Sequence, residues 1–250
     1  MTMVTLFPNM TTRQDLLRII DSLLSKERIK TLQSSINFKK ATPSSKVKPF
    51  SVISESRDTT HYSIIDSEGN AVSNTYTLGY SFGSGVTIPG TGILLNNQMN
   101  NFAYRYGDDS VEGRAASKGN RFIPGKRPMS TMAPSMVFNS EGNLTLITGS
   151  PGGSFIPAAI LRVISGVIDF DLNIGEATML SRIHKDWPYS GLDYETTLSS
   201  DIVKRLDTIG HKPEKQKTLG STQSIHIING VNYGYADLRR PGASVSIQSD

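Results

Sequence analysis

Apolar residues recur at helical spacing near the start of the chain. Leu16, Ile19, Ile20, Leu23 and Leu24 fall on one face, and Thr12-Arg-Gln-Asp ahead of them has a capping pattern, which predicts a short amphipathic helix. Such a helix has to pack on something. Residues 41 to 58 lose this periodicity, and Pro43, Pro49 and a scatter of serines predict an extended, exposed segment. From Thr59 the pattern turns to strands. His61 to Asp66 and Ala71 to Leu78, joined by Ser67-Glu68-Gly69-Asn70, predict a hairpin with Thr59 at its head. The glycine-rich turn region Gly83 to Gly92 precedes a short expected strand at Ile93 to Leu95. A second hairpin is expected from Ser135 to Asn139 and Leu144 to Thr148, and a third from Gln223 to Ile228 and Tyr233 to Asp237 around Asn229-Gly230. Between them lie three helical patterns. Ile156 to Phe170 is apolar nearly all round and so is expected to be buried; Ile174 to Ile183 follows, then Ser199 to Ile209 stopped by Gly210. Hairpin blocks separated by helices predict an α+β fold, with antiparallel sheet covered by helices.

Composition narrows the chemistry. At 250 residues and 37% hydrophobic, the chain can bury a sizeable core in one large domain or two small ones. No apolar run approaches the roughly 20 residues of a membrane span, and the start, Met1 to Pro8, lacks the pattern of a signal peptide. With no cysteine there are neither disulfides nor thiol catalysis, and four scattered histidines share no metal-ligand spacing, so neither a metal nor a cofactor is expected. The net charge of +4 is unevenly placed. Residues 1 to 58 carry ten Lys/Arg against five Asp/Glu, whereas residues 59 to 250 carry sixteen against seventeen. The basicity belongs to the leading segment, and aromatic interleaving is too sparse for a base-stacking platform, so nucleic acid is not an expected partner. Chemistry must then come from hydroxyls, amines and backbone groups.

Several local motifs could supply it, each with a plainer reading beside it. Asp58-Thr59-Thr60-His61-Tyr62-Ser63 places threonine where a cut in front of Thr59 would free an α-amine, with an ordinary pKa of about 8, to remove the proton of its own hydroxyl. Thr59 and Thr60 are also ordinary β-formers at a strand start. Ser150-Pro151-Gly152-Gly153-Ser154 could point successive N–H groups at an oxyanion, or be a tight strand-to-helix turn. Asn96 to Asn101 is either turn chemistry or a substrate site, and Ser130-Thr131 after Lys126-Arg127-Pro128 could bind an anion or cap a strand. Residues 103 to 125 are polar, with four glycines, and a loop that long inside a domain reads as a lid.

The order of the pieces is more specific than any one of them. Thr59-Thr-His-Tyr-Ser, Tyr76-Thr-Leu, Gly92-Ile-Leu-Leu-Asn-Asn-Gln-Met, Lys126-Arg-Pro, Ser150-Pro-Gly-Gly-Ser and Gly220-Ser-Thr-Gln-Ser together closely resemble the γ-glutamyltransferase (γ-glutamyltranspeptidase) family of N-terminal nucleophile hydrolases, over about residues 40 to 240. The resemblance implies an αββα sandwich and a precursor that cleaves itself between Asp58 and Thr59. Residues 1–58 would be the end of the large subunit with its processing linker, and 59–250 the small, catalytic subunit. It implies that Thr59 is the nucleophile, that Thr77 positions it, and that Gly152 and Gly153 form the oxyanion hole. Gln98 and Asn101 would meet the donor's α-ammonium, and Ser130 and Thr131 its α-carboxylate. The donor would be glutathione or another γ-glutamyl compound, and the acceptor water or the amine of an amino acid or peptide. His61 reads as a strand residue supporting the site, since a terminal amine already supplies the base. By the same resemblance the protein would reside in the periplasm or outside the cell.

Three departures from the family pattern qualify this. An aspartate is usual where Asn101 stands, so a charge-assisted bond becomes a neutral one, a loss of about 1 to 2 kcal/mol. Gly79 stands where many members carry a donor-contacting asparagine, which leaves room for a different acyl group, as in acylase branches. Most of the large subunit, with its carboxylate-binding arginine, is not in these residues, so the fold is expected to be incomplete in this chain. A large-subunit polypeptide is then an expected partner, and an inactive fragment the alternative.

Overall fold

The computed structural model describes residues 13–46, 59–102, 120, 122–186, 191–241 and 244–247. Two helices lead, α1 (Arg13–Leu23) and α2 (Lys26–Ser34). The Ser25 hydroxyl accepts from the Arg28 N–H at 3.2 Å and so satisfies one free donor in the first turn of α2. The pattern at Thr12 lies outside the described residues. Leu17, Ile29 and Leu32 on these helices and Leu24 between them remain exposed. Their connection to the body of the chain includes the Ala41 N–H, which donates to the Ile209 carbonyl at 2.7 Å.

The body is layered. Strands β3 (Ser135–Phe138), β4 (Leu144–Gly149), β8 (Gln223–Ile228) and β9 (Val231–Ala236) form an antiparallel sheet in the order β3-β4-β8-β9. On one face lie α3 (Ile156–Ile168) and α4 (Ile174–Met179), and Leu146, Val163, Ile174 and Ala177 make the core between them. Over the other face lies the hairpin of β1 (Thr60–Ile65) and β2 (Ala71–Tyr76). Its contacts to that sheet are polar: the Ser63 hydroxyl donates to the Gln223 carbonyl at 2.9 Å, and the Ser73 hydroxyl to the Thr148 carbonyl at 3.0 Å. The alternate residues Tyr62, Ile64, Val72 and Tyr76 point outward and are exposed. This hairpin is therefore inverted relative to an ordinary surface hairpin, with its polar face inward and an apolar face to solvent.

The three hairpins form where the alternation predicts them, although β2 ends at Tyr76 and not Leu78. Other expectations are corrected. Ile93 to Leu95 is not a strand but part of a loop tied back by an isolated bridge between Thr87 and Leu94 and by backbone bonds of Ile93 to Ile88 and of Leu95 to Val86 and Ser84. Helix α3 is buried on one face only, through Ile156, Ala159, Ile160, Val163 and Gly166, while Leu161 and Ile168 are exposed. Helix α4 stops at Met179, short of Ile183, because guanidinium groups take the carbonyls near its end: Arg182 and Arg239 both donate to the Thr178 carbonyl, and Arg239 to that of Leu180. The pattern does not predict a third sheet, in which β5 (Ile183–His184) is antiparallel to β6 (Gly191–Glu195), and β6 parallel to β7 (Lys212–Gln216) across the crossover helix α5 (Ser200–Thr208). Lys-Pro-Glu-Lys-Gln carries no apolar alternation to announce β7.

A buried ionic cluster ties this sheet to the rest. Asp237 accepts from Arg182 at 2.7 Å and from the Thr222 N–H at 2.8 Å on one oxygen, and from the Arg239 N–H at 3.0 Å and guanidinium at 3.2 Å on the other. Glu195 accepts from Arg239 on both oxygens, at 2.7 and 2.8 Å, and from the N–H groups of Leu219 and Arg182. Burial raises the Asp237 carboxyl, but the Arg182 and Arg239 charges and two backbone N–H donors together hold it below the usual carboxylate range.

Candidate active site

Thr59 immediately precedes β1 and is 6% exposed. Its hydroxyl has no hydrogen-bond partner among the described residues, an uncommon state for a buried oxygen. Its carbonyl accepts from the Arg240 guanidinium at 3.2 Å. The β1–β2 register pairs Thr60 with Tyr76, and one step further along the ladder puts Thr59 across from Thr77. Both threonines line one cavity of about 320 Å³, with Tyr76, Ser81 and Arg240. The Thr77 hydroxyl accepts from the Gly79 N–H at 2.9 Å, which fixes the chain as it leaves β2.

His61 lies two residues on, on the same side of the strand as Thr59 but outside the lining of that cavity. Its Nδ1 meets the Thr75 hydroxyl at 2.7 Å and its Nε2 the Ser63 hydroxyl at 3.2 Å. The ring occupies the space where any side chain at Gly149 would stand, so Gly149 is required for the hairpin to close on β4. Burial lowers the His61 pKa to about 4, and the ring is neutral at physiological pH. Its ring fills the space between hairpin and sheet.

Beyond Gly149, β4 runs into the turn Ser150 to Gly153, where Gly152 has φ of 136° and Gly153 φ of 59°. A Cβ on Gly152 would also come within 3.0 Å of the Gly220 Cα, so both conformation and space call for glycine there. The Ser150 hydroxyl accepts from the Ser221 N–H at 2.9 Å and donates to the Pro151 carbonyl at 2.6 Å, bracing the turn. Among the described residues neither Gly152 nor Gly153 donates its N–H to another backbone group. The Thr131 hydroxyl donates to the Gly153 carbonyl at 2.9 Å, which sets Thr131 against the glycine turn, and the neighbouring Ser130 hydroxyl accepts from the Met132 N–H at 3.1 Å. From the other side, the Ser154 hydroxyl donates to Asp186 at 3.0 Å, which also meets His184 Nε2 at 2.8 Å. Burial raises the Asp186 carboxyl, but the His184 contact and the Ser154 bond outweigh it and leave it below the usual range. Sequence reasoning gave no role to His184 or Asp186, and they carry no signal in a single chain.

Gln98 and Asn101 share a short 3₁₀ turn, and the Asn101 amide donates to Gln98 at 2.8 Å. The Gln98 Nε2 is buried without a partner among the described residues. Asn120, fully buried, donates to the Asn101 carbonyl at 2.6 Å and accepts from the Met129 N–H at 3.0 Å. It bridges the Asn101 backbone to that of Met129, the residue before Ser130, and sits inside the polar stretch that the sequence reads as a lid; most of that stretch, 103–119 and 121, lies outside the described residues. At Gly79, φ is 93°, and the Asn97 side chain fills the space beside it, close to the Gln98 amide. Gly152, Gly153, Ser130, Thr131, Gln98 and Asn101 thus form a connected group, while Thr59 and Thr77 share the cavity; His61 packed on Gly149 joins the two. Among the described residues no cluster could hold a metal ion, and no helix is long and apolar enough to cross a membrane.

This α+β fold, a hairpin stacked on a helix-covered sheet, is related to that of the N-terminal nucleophile hydrolases. Within that class the chain belongs to the γ-glutamyltranspeptidase family: the family's sequence profile, described as Gamma-glutamyltranspeptidase, matches residues 8–247. It is 41% identical over 220 residues to the Glutathione hydrolase proenzyme of Escherichia coli (strain K12), which covers 87% of this chain and 38% of that protein. The chain thus spans well under half the length of that relative. Among solved structures, a mutant of Helicobacter pylori γ-glutamyltranspeptidase is similar with a TM-score of 0.67 and 38% identity, covering 72% of this chain and 100% of that one. A cephalosporin acylase from Bacillus halodurans is similar with a TM-score of 0.74 and 26% identity, covering 92% of this chain and 40% of that one.

Proposed function

We propose that this chain is the nucleophile-bearing part of a γ-glutamyl transferase of the glutathione hydrolase type, activated by cleavage between Asp58 and Thr59. The observation that carries the reading is the buried Thr59 hydroxyl, unpartnered among the described residues and opening on a cavity it shares with Thr77. In the activating step the Thr59 oxygen attacks the Asp58 carbonyl carbon, the C–N bond breaks as the amine takes a proton, and water hydrolyses the resulting ester. This releases an Asp58 carboxylate and a free Thr59 α-amine. That amine then serves as the base as Thr59 attacks the γ-amide of a donor such as glutathione. The Gly152 and Gly153 N–H groups stabilise the oxyanion, a donor of this kind being worth about 3 kcal/mol. The leaving amine departs with a proton, and the acyl group passes to water or to the amine of an amino acid or peptide. Ser130 and Thr131 hold the donor's carboxylate, and Gln98 with Asn101 its ammonium.

In this reading residues 1–58 end a large subunit and 59–250 form the small one. The apolar outer face of Tyr62, Ile64, Val72 and Tyr76 is the seat of a fourth layer, completing an αββα sandwich. The remainder of the large subunit, linked to this chain or made separately, supplies that layer and the site's missing carboxylate-binding arginine. Residence is periplasmic or extracellular, to be checked by cell fractionation. A second reading, an acylase of different acyl specificity, is favoured by Asn101 and by Gly79, beside which Asn97 takes the place of a side chain. Turnover of a γ-glutamyl anilide by this chain supplied with a large-subunit polypeptide, lost in Thr59→Ala, supports the first reading. Turnover of an aliphatic or aromatic acyl anilide alone supports the second. No Thr59-dependent turnover of either leaves the chain an inactive fragment.

A further inference from the structure

Arg239 and Arg240 are neighbours with opposite tasks. Arg239 is locked by five polar contacts, to Glu195 on both oxygens, to Asp237, and to the carbonyls of Thr178 and Leu180. The backbone after it is thereby fixed, and Arg240 reaches in the other direction, to the Thr59 carbonyl at 3.2 Å and the wall of the cavity. This contact bridges 181 positions of sequence, and its far end rests on a buried ionic cluster and not on a mobile tail. A residue's amine and carbonyl share one Cα, so the bonded guanidinium nitrogen is held within about 7 Å of the Thr59 nitrogen. We propose that Arg240 is a positioning residue for Thr59, setting the torsion that aims its hydroxyl and, after cleavage, biasing its α-amine toward the neutral form that can accept a proton.

The proposal rests on the reading of Thr59 as nucleophile. A fixed positive charge at that range disfavours protonation of a neighbouring amine, by about half to one pKa unit for a partly screened pair. The other titratable side chains lining the cavity among the described residues are the phenols of Tyr76 and Tyr80. His61 faces Thr75 and Gly149 and stays uncharged above a pH of about 4. Arg240 therefore supplies the cavity wall's positive charge among those residues.

Two measurements separate this proposal from the reading beneath it. Hydrogen exchange followed by mass spectrometry on the full chain needs no catalysis. Arg240→Ala is expected to speed exchange several-fold in a peptide covering the start of β1 and to leave β3 and β4 unchanged; unchanged exchange at β1 would overturn the tether. In the active enzyme, the acid limb of the pH profile of kcat/KM should move up by about half to one unit in Arg240→Ala and in Arg240→Gln, and stay in place in Arg240→Lys. A limb that stays in place in all three overturns the charge role while wild-type activity upholds the function. An enzyme inactive in wild type overturns the function and the amine tuning together, and the exchange result still decides the tether.

Discussion

Around Thr59 a buried hydroxyl has no described partner and a cavity lies beside it, whereas in the equally buried Arg182–Glu195–Asp237–Arg239 cluster every carboxylate oxygen accepts from at least two donors. Apart from the Arg182 Nε, the cluster's charged side chains leave no buried polar atom unsatisfied among the described residues. A saturated network has no capacity left for a ligand, and removing one member strands a buried charge. An unsaturated hydroxyl costs stability where it stands and is retained where something else is to bind or react. One region holds the fold, and in the proposed reading the other holds open a place for chemistry. Arg239 and Arg240 join them.

The contrast can be broken at either end. The largest effect is expected for Thr59→Ala, which should remove turnover by a factor on the order of 10⁴ to 10⁶ while shifting the urea midpoint little, because no described hydrogen bond is lost. A large loss of stability would mean that Thr59 belongs to the structural class. Asp237→Ala should do the opposite and cost about 3 to 5 kcal/mol in chemical denaturation, since it leaves Arg182, 1% exposed, without its carboxylate; a cost below about 1 kcal/mol would contradict the assignment. The His61 ring sets a pH dependence between these extremes. Its folded pKa, about 4, lies below the ordinary 6.5, so its contribution is fully present above about 6.5 and is lost as pH falls toward 4. Between pH 7 and pH 5 the chain should lose about 2 kcal/mol through this group, and His61→Gln should lose correspondingly less. Equal slopes would remove His61 from the account. Smallest is Asn101→Asp, expected to tighten γ-glutamyl donor binding by about 1 to 2 kcal/mol; unchanged or weaker binding would count against Gln98 and Asn101 as the ammonium site.

The hairpins were legible because alternation and turn residues such as Asn229-Gly230 are local signals, and so was Thr59 at the head of a strand. The inward polar face of β1–β2 was not, since Tyr62 and Ile64 against His61 and Ser63 show alternation without showing which side faces the sheet. Strand β7 escaped because its partner β6, and not its own residues, makes it a strand. The full length of α4 was overestimated because the guanidinium groups that take its last carbonyls lie at Arg182 and Arg239, the latter some sixty residues on. Of the candidate site, the glycine turn and the hydroxyl pair could be read from order and resemblance. Asn120 and Arg240 could not, because each acquires its part only through a contact remote in sequence.

The central claim is that Thr59 becomes an N-terminal nucleophile, and intact-mass spectrometry tests it most directly. When the chain is produced together with the remainder of a large subunit, two species are predicted whose masses correspond to cleavage between Asp58 and Thr59, with a single uncut species in Thr59→Ala. An uncut wild-type chain, or a cut that persists in Thr59→Ala, would contradict it.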